Sequence, residues 1–226
     1  MKSIPNPRII GGFLKGSPLK FAYTTKPAPT QAIIRKSIFD QLQSIIENAK
    51  FLDGFSGTGA VGIEALSRGA RHVVFIENDV KLASSLTSNL KQLGLSEEKT
   101  STSPTANKLP FNLPLLARSK VWYGDFKKYV PHKSHFFDIV FLDPPYEVLK
   151  DIEALKQMLM IVINRQLLKP SGRIILERSE HHAKRHERRD EDLTTFYQFL
   201  TKLNLTRSDV RLFGKTRLET YRIRDK

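Results

Sequence analysis

The 226-residue chain contains no cysteine, one tryptophan and three methionines. Without thiols it can form no disulfide, hold no zinc through sulfur and use no cysteine nucleophile. No apolar run approaches the roughly 18 residues that a membrane-crossing helix needs, and no basic-then-apolar leader opens the chain, so a soluble cytoplasmic protein without a membrane partner is expected. Metal-ligand spacing is missing too. His181, His182 and His186 sit among Lys184, Arg185, Arg188 and Arg189, where a solvated basic face is the default and no metal is expected. Positive charge is what the chain has in excess: 37 Lys+Arg against 23 Asp+Glu, net +14. Residues 1–50 hold 8 against 2, residues 51–168 hold 14 against 12, and residues 169–226 hold 15 against 9. The two basic ends suggest a polyanion held beside a nearly neutral middle; a merely soluble basic surface is the bland alternative.

Hydrophobic spacing alternates between the helical and the strand period. Ile34, Ile38, Leu42, Ile45 and Ile46 fall at helical intervals over Ala32–Ile46. Short apolar strands follow at Phe51–Asp53, His72–Glu77, Val121–Tyr123 and Phe137–Leu142, and a fifth at Gly172–Glu177 after a Lys169-Pro170-Ser171-Gly172 turn. Leu149–Leu168 reads as a helix whose methionines fill core, and a further helix runs from Asp190 to Leu203. Asp209–Phe213 and Arg217–Ile223 flank Gly214-Lys215-Thr216 as a hairpin. Residues 1–30 form a basic extension in which Gly11-Gly12, Gly16 and Pro18 fit a small hairpin, residues 31–226 form an α/β domain, and about 96–120 is a polar surface loop inserted in it. The chain is expected to be a monomer.

The strand ends carry the chemistry. Asp143-Pro144-Pro145-Tyr146 closes the fourth strand and places a carboxylate, a rigid carbonyl and an aromatic ring in one turn. Asp143 and the Pro144 carbonyl can accept the two N–H bonds of a planar exocyclic amine, and Tyr146 can stack on its base. Both prolines, Pro144 and Pro145, remove competing amide donors. After the first strand, Gly57, Gly59 and Gly62 spell G-x-G-x-x-G, the spacing of a dinucleotide loop. Asp53 argues against a diphosphate there, because a carboxylate repels phosphate yet attracts the ammonium and sulfonium of S-adenosyl-L-methionine. Phe55, Ser56, Gly57 and Gly59 would shape that pocket. Glu77, with Asn78 beside it, ends the second strand about twenty residues on, where ribose hydroxyls need an acceptor. Asp125 ends the third and can accept from an adenine amine, with Phe126 or Phe55 on the ring face. Each acid taken singly is more often a solvated strand end. Four in succession at one edge of a parallel sheet are harder to dismiss.

These residues resemble a class I S-adenosylmethionine-dependent methyltransferase. Arg8-Ile9-Ile10-Gly11-Gly12, Lys15-Gly16, Leu19, Pro29-Thr30, Arg35, Ile38-Phe39, Ile63–Ala70 and the terminal Phe213-Gly214-Lys215-Thr216 with Leu218 and Tyr221 narrow the resemblance to the bacterial small-subunit rRNA (guanine-N2) methyltransferase family often called RsmD. It covers residues 8–95 and 120–223. It implies a Rossmann-like, mostly parallel seven-stranded sheet with helices on both faces and an antiparallel C-terminal strand. It also implies 16S rRNA in the 30S subunit as partner, and guanine N2 as target. One departure is Ala28, where the family usually has arginine. Among the basic ends, Arg8, Lys15, Lys20, Lys26 and Arg35 are the candidate phosphate contacts.

Three other readings share parts of this pattern. A DNA adenine-N6 methyltransferase would use the same four strand ends but a larger target-recognition region. A non-catalytic RNA-binding or ribosome-assembly protein would keep the basic ends and lose acids, and none is lost. An NAD-linked oxidoreductase is disfavoured by Asp53. Carbon methylation at C5 of a pyrimidine is excluded, since it requires a thiolate.

Overall fold

The computed structural model describes residues 7–20, 31–95, 118–131, 136–145, 148, 152–179 and 190–224. They fall into two units, Met1–Tyr129 and Val130–Lys226.

In the first unit, α1 (Ala32–Leu42) turns Ile34, Ile38, Phe39 and Leu42 into the core. It ends four residues before the expected Ile46, in turns that bring Asn48 to φ 58°. Three strands follow: β1 (Lys50–Asp53), β2 (His72–Glu77) and β3 (Arg118–Tyr123), parallel in the order β3-β2-β1. Strand β3 begins earlier than its apolar residues suggest, because Arg118, Ser119 and Lys120 pair with His72, Val73 and Val74 of β2. Residues 118–120 therefore belong to the sheet and not to the polar loop; the remainder of that loop, 96–117, lies outside the described residues.

Helix α2 (Ala60–Ser67) packs on β1 and β2 and is buried at all eight positions, so its polar residues serve the interior. Glu64 accepts from the Ile10 amide at 2.8 Å and from Arg68 Nε at 2.8 Å. Ser67 Oγ accepts from the Leu14 amide and donates to the Gly11 carbonyl, at 2.9 and 2.6 Å. The basic segment 7–20 thus forms the hairpin its glycines suggest, with Arg8 bridged antiparallel to Pro18, and it is hydrogen-bonded to α2. Helix α3 (Val80–Gln92) is capped by Asp79, which accepts from the Lys81 and Leu82 amides at 2.8 and 3.0 Å. Its buried Asn89 accepts from the Lys20 amide and donates to the Lys20 and Thr58 carbonyls.

The second unit holds β4 (Phe137–Leu142), β5 (Leu168–Ser179), β6 (Leu205–Phe213) and β7 (Thr216–Ile223), in the order β4-β5-β7-β6. Strands β4 and β5 are parallel; β7 is antiparallel to both β5 and β6. Helix α4 (Ile152–Asn164) is shorter than expected and buries Leu155, Met158, Leu159 and Val162. Helix α5 (Asp190–Lys202) packs on β6. The stretch 169–172 is an irregularity inside β5 where a separate turn is expected: Phe137 pairs with Leu168 and Ile139 with Arg173, so four residues of β5 lie opposite Asp138 alone. Glu219 on β7 is fully buried and accepts from Tyr221 Oη at 2.7 Å, Arg178 Nη2 at 2.9 Å and Arg207 Nη1 at 3.0 Å. Burial pushes its pKa up, and the Arg178 and Arg207 charges with the Arg178 and Tyr221 hydrogen bonds pull it below the ordinary value. One ionised carboxylate therefore ties β5, β6 and β7 together.

The hairpin gives a stability test. Gly12 has φ +73° and a Cβ there would lie 1.8 Å from the Ser67 carbonyl oxygen, whereas Gly16 has φ +87° with nothing within 4 Å of its Cβ position. Gly16→Ala should cost only the left-handed strain, about 1–2 kcal/mol. Gly12→Ala adds an overlap with backbone and should cost roughly 2–5 kcal/mol in chemical denaturation. Equal losses for the two variants would contradict the docking of the hairpin on α2.

Candidate active site

In the first unit the exits of three parallel strands are joined by backbone. Asp53 ends β1 with 1% exposure, and its Oδ2 accepts from the Gly62 amide at 3.0 Å. Its carbonyl accepts from Ser56 Oγ at 2.8 Å. Glu77 ends β2, also buried. Its Oε2 accepts from the Gly57 amide at 2.7 Å, and its Oε1 from the Asn78 and Asp79 amides at 2.9 and 2.8 Å. Burial raises the Glu77 pKa, and those three amides oppose the rise. The Gly124 amide donates to the Glu77 carbonyl at 2.9 Å, which seats the β3 exit against that of β2. Asp125 is exposed and accepts from the Lys127 amide at 2.9 Å, capping a short 3-10 turn. Phe55 and the buried Phe126 lie 5.5 Å apart between ring centroids.

The three glycines of the loop serve different needs. Gly59 (φ +87°) starts α2, and a Cβ there would fall 2.4 Å from Leu86 Cδ1; one at Gly62 would fall 2.2 Å from Phe75 Cε1. Both are required by packing. Gly57 (φ +55°) has nothing within 4 Å of its Cβ position, so the loop apex borders open space where a ligand can approach the backbone. Asp53, Phe55, Ser56, Gly57, Gly59, Glu77, Asn78, Asp125 and Phe126 thus cluster at the carboxyl ends of β1, β2 and β3. No Lys or Arg lies between Asp53 and Gly59. A set of acceptors beside an open glycine suits a cationic, hydroxyl-bearing ligand and repels a diphosphate.

In the second unit Asp143 leaves β4 half-buried, followed by a buried Pro144 and an exposed Pro145 whose carbonyl accepts from the Val148 amide at 2.9 Å. Tyr146 lies outside the described residues. Beside this exit is a group the sequence reading missed as a site residue. Glu177 of β5 is 5% exposed, and burial first, then the Asp143 charge, raise its carboxyl to about 9. In sequence it ends the fifth apolar run as Asp53 and Glu77 end the first two. That was the available signal.

Of the basic candidates, Arg8, Lys15 and Lys20 are exposed on the hairpin, and Arg8 Nη1 donates to the Gly16 carbonyl at 2.8 Å. Lys26 lies outside the described residues. Arg35 is a correction: it is 2% exposed on the core face of α1, donates from Nη2 to the Arg8 carbonyl at 2.7 Å, and is withheld from any phosphate. Burial lowers its pKa and the Glu64 charge counters that.

The family model described as conserved hypothetical protein 95 matches residues 7–195. Ribosomal RNA small subunit methyltransferase D of Haemophilus influenzae is 32% identical over 183 residues, 78% of this chain and 84% of that protein. YlbH of Bacillus subtilis, provisionally named an rRNA methyltransferase, is 34% identical over 173 residues, 75% of this chain and 81% of that protein. Among solved structures, yhhF from Escherichia coli, provisionally described as a methyltransferase, has a TM-score of 0.67 at 22% identity and covers 96% of this chain and 97% of that one. The fold is accordingly Rossmann-like, a mixed sheet of seven strands, mostly parallel with antiparallel C-terminal strands. Among the described residues no helix is long and apolar enough to cross a membrane, and no cluster of ligating side chains could hold a metal.

The state of Glu177 can be read from stability. A carboxyl whose pKa rises from 4.5 unfolded to about 9 folded contributes stability that is complete below pH 4.5 and lost as pH climbs towards 9. Glu177→Gln cannot ionise. Between pH 5 and 7.5 the wild type should lose about 3 kcal/mol relative to the variant, at about 1.4 kcal/mol per pH unit. A pH-independent difference in denaturant unfolding would mean that Glu177 is ionised in the folded protein.

Proposed function

Because the chain belongs to the conserved hypothetical protein 95 family, we propose that it transfers a methyl group from S-adenosylmethionine to the exocyclic N2 amine of a guanine in small-subunit rRNA. It is an rRNA methyltransferase: its curated relatives of that kind are 32–34% identical across most of its length. The observation that carries the finer reading is that strand exits in each unit end in acids: Asp53, Glu77 and Asp125 at three parallel strands of the first, and Asp143, followed by two prolines, at the exit of β4 in the second.

In this reading the first unit binds the cofactor. Asp53 faces its ammonium, Glu77 and Asn78 its ribose, Asp125 its adenine amine, and Phe55 and Phe126 its ring, while Gly57 leaves room for close approach. When bound, the cofactor supplies a methyl group already attached to a good leaving group, so the protein needs to supply alignment more than a strong base. Asp143 and the Pro144 carbonyl accept the two N–H bonds of the target amine and so orient its lone pair. The Asp143 carboxylate takes the proton that the alkylated nitrogen sheds. The target base must leave its stack to reach such a turn, and Tyr146 is the residue that would replace the lost stacking. Arg8, Lys15, Lys20 and Lys26 grip RNA phosphates, and the substrate is the 30S particle, since a folded hairpin reads a folded surface.

A transfer assay with radiolabelled cofactor should label unmethylated 30S particles in preference to naked 16S rRNA and duplex DNA. Asp143→Ala should lower the rate by about 10²-fold or more and leave cofactor affinity by calorimetry unchanged. Label on DNA adenine at an equal or higher rate would replace this function with adenine-N6 methylation.

Charge reversal tests the RNA contacts. Arg8→Glu, Lys15→Glu or Lys20→Glu should each weaken RNA binding and flatten its dependence on log salt by roughly 0.7–0.9. An unchanged salt slope in all three would remove the hairpin from the RNA interface.

A further inference from the structure

Strands β4 and β5 are parallel with Leu142 opposite Leu176. Side chains alternate between faces along a strand, so the next pair, Asp143 and Glu177, lies side by side on the opposite face from those leucines. Across β5 on its other side, Glu177 pairs with Leu218 of β7, which Arg217 and Glu219 flank in sequence. The same alternation sends Arg178, Arg217 and Glu219 to the far face, where both arginines pair with Glu219. The flanking β7 positions on the Glu177 face are Thr216 and Thr220, and Arg173 lies four residues back along β5. Among these described neighbours, Asp143 is the adjacent charged group. Glu177 is 5% exposed, and its Oε2 has no hydrogen-bond partner among the described residues.

A buried carboxyl with an unsatisfied oxygen is costly in a strand where leucine would pack without penalty, so a structural role explains it poorly. The strand exits offer an explanation. Asp53, Glu77 and Asp125 each have the carboxylate oriented by at least one backbone amide. The two residues after Asp143 are prolines, which have no amide to give. Pro144 and Pro145 therefore give Asp143 no amide hydrogen bond, and the carboxyl beside it on the neighbouring strand is that of Glu177.

Building on Asp143 as the acceptor for the target amine, we propose that Glu177 is its positioning residue, the side chain that fixes the direction in which the Asp143 carboxylate faces that amine. Burial and the Asp143 charge both favour the neutral acid at Glu177, which leaves one proton for the two carboxyl groups. The neutral acid has one O–H to donate, and the ionised Asp143 only accepts. Donation from Glu177 occupies one Asp143 oxygen and leaves the other for the amine. An ionised Glu177 would instead repel Asp143 and displace it.

The test uses the full chain, S-adenosylmethionine and unmethylated 30S particles, with Glu177→Gln and Glu177→Leu. Glu177→Gln keeps a neutral donor and should hold kcat within about threefold, while Glu177→Leu should lower kcat by about 30–100-fold with KM for the cofactor and the unfolding temperature not worsened. In an Asp143→Asn background the Glu177→Leu change should cost less than about twofold, because the group it orients is gone. Glu177→Met replaces the leucine variant if that protein fails to fold. Wild-type kcat in the apolar variant, a glutamine variant as slow as the apolar one, or full additivity with Asp143→Asn would each overturn the proposal. A wild-type protein that methylates no RNA at all would instead remove the reading of Asp143 on which the proposal rests.

Discussion

The first unit depends on the way one buried carboxylate is shared among backbone amides. Glu77 takes the Gly57, Asn78 and Asp79 amides, and its own carbonyl takes that of Gly124. The glycine loop, the start of α3 and the β3 exit are all registered to the end of β2 through this residue. A charge-assisted acceptor is stronger than a neutral one, which suits a loop whose glycines would otherwise leave it loose. Asp53 does the same on a smaller scale through the Gly62 amide inside α2. Both acids that the cofactor reading needs at the ligand are thus already committed to the scaffold, and the geometry is set before any ligand arrives.

In the second unit two glutamates on opposite faces of one sheet take opposite states. Glu219 has Arg178, Arg207 and a phenol around it and stays ionised although fully buried. Glu177 has Leu218 on one side and a second carboxylate on the other, and holds its proton. Burial acts on both; the difference is the sign of the neighbouring charge. Strand alternation decides which neighbours each one meets.

The basic character of the chain divides in the same way. Arg35, Arg178 and Arg217 are buried, and Arg207 is bound to Glu219 and stacked over Tyr197. Part of the charge counted in the two ends is therefore internal and cannot face a polyanion, whereas Arg8, Lys15 and Lys20 stand on the hairpin surface. Arg35 sat within the apolar stripe of α1, three and four residues before Ile38 and Phe39, and that spacing was the signal for its burial.

The strand exits and their acids could be read from the chain alone, because short continuous apolar runs ending at Asp53, Glu77 and Asp143 are written locally, as are the glycine loop and the C-terminal hairpin. Apolar spacing misplaced some element ends. Helix α1 stopped short of Ile46, and β3 began at Arg118, where pairing with β2 and not side-chain polarity sets the limit. The docking of residues 7–20 on α2, the burial of Arg35 and the meeting of Asp143 with Glu177, 34 positions away in the chain, were decided by tertiary structure alone. Such contacts depend on strand register and helix facing across separate segments, and a residue's charge state follows from the neighbours those contacts supply.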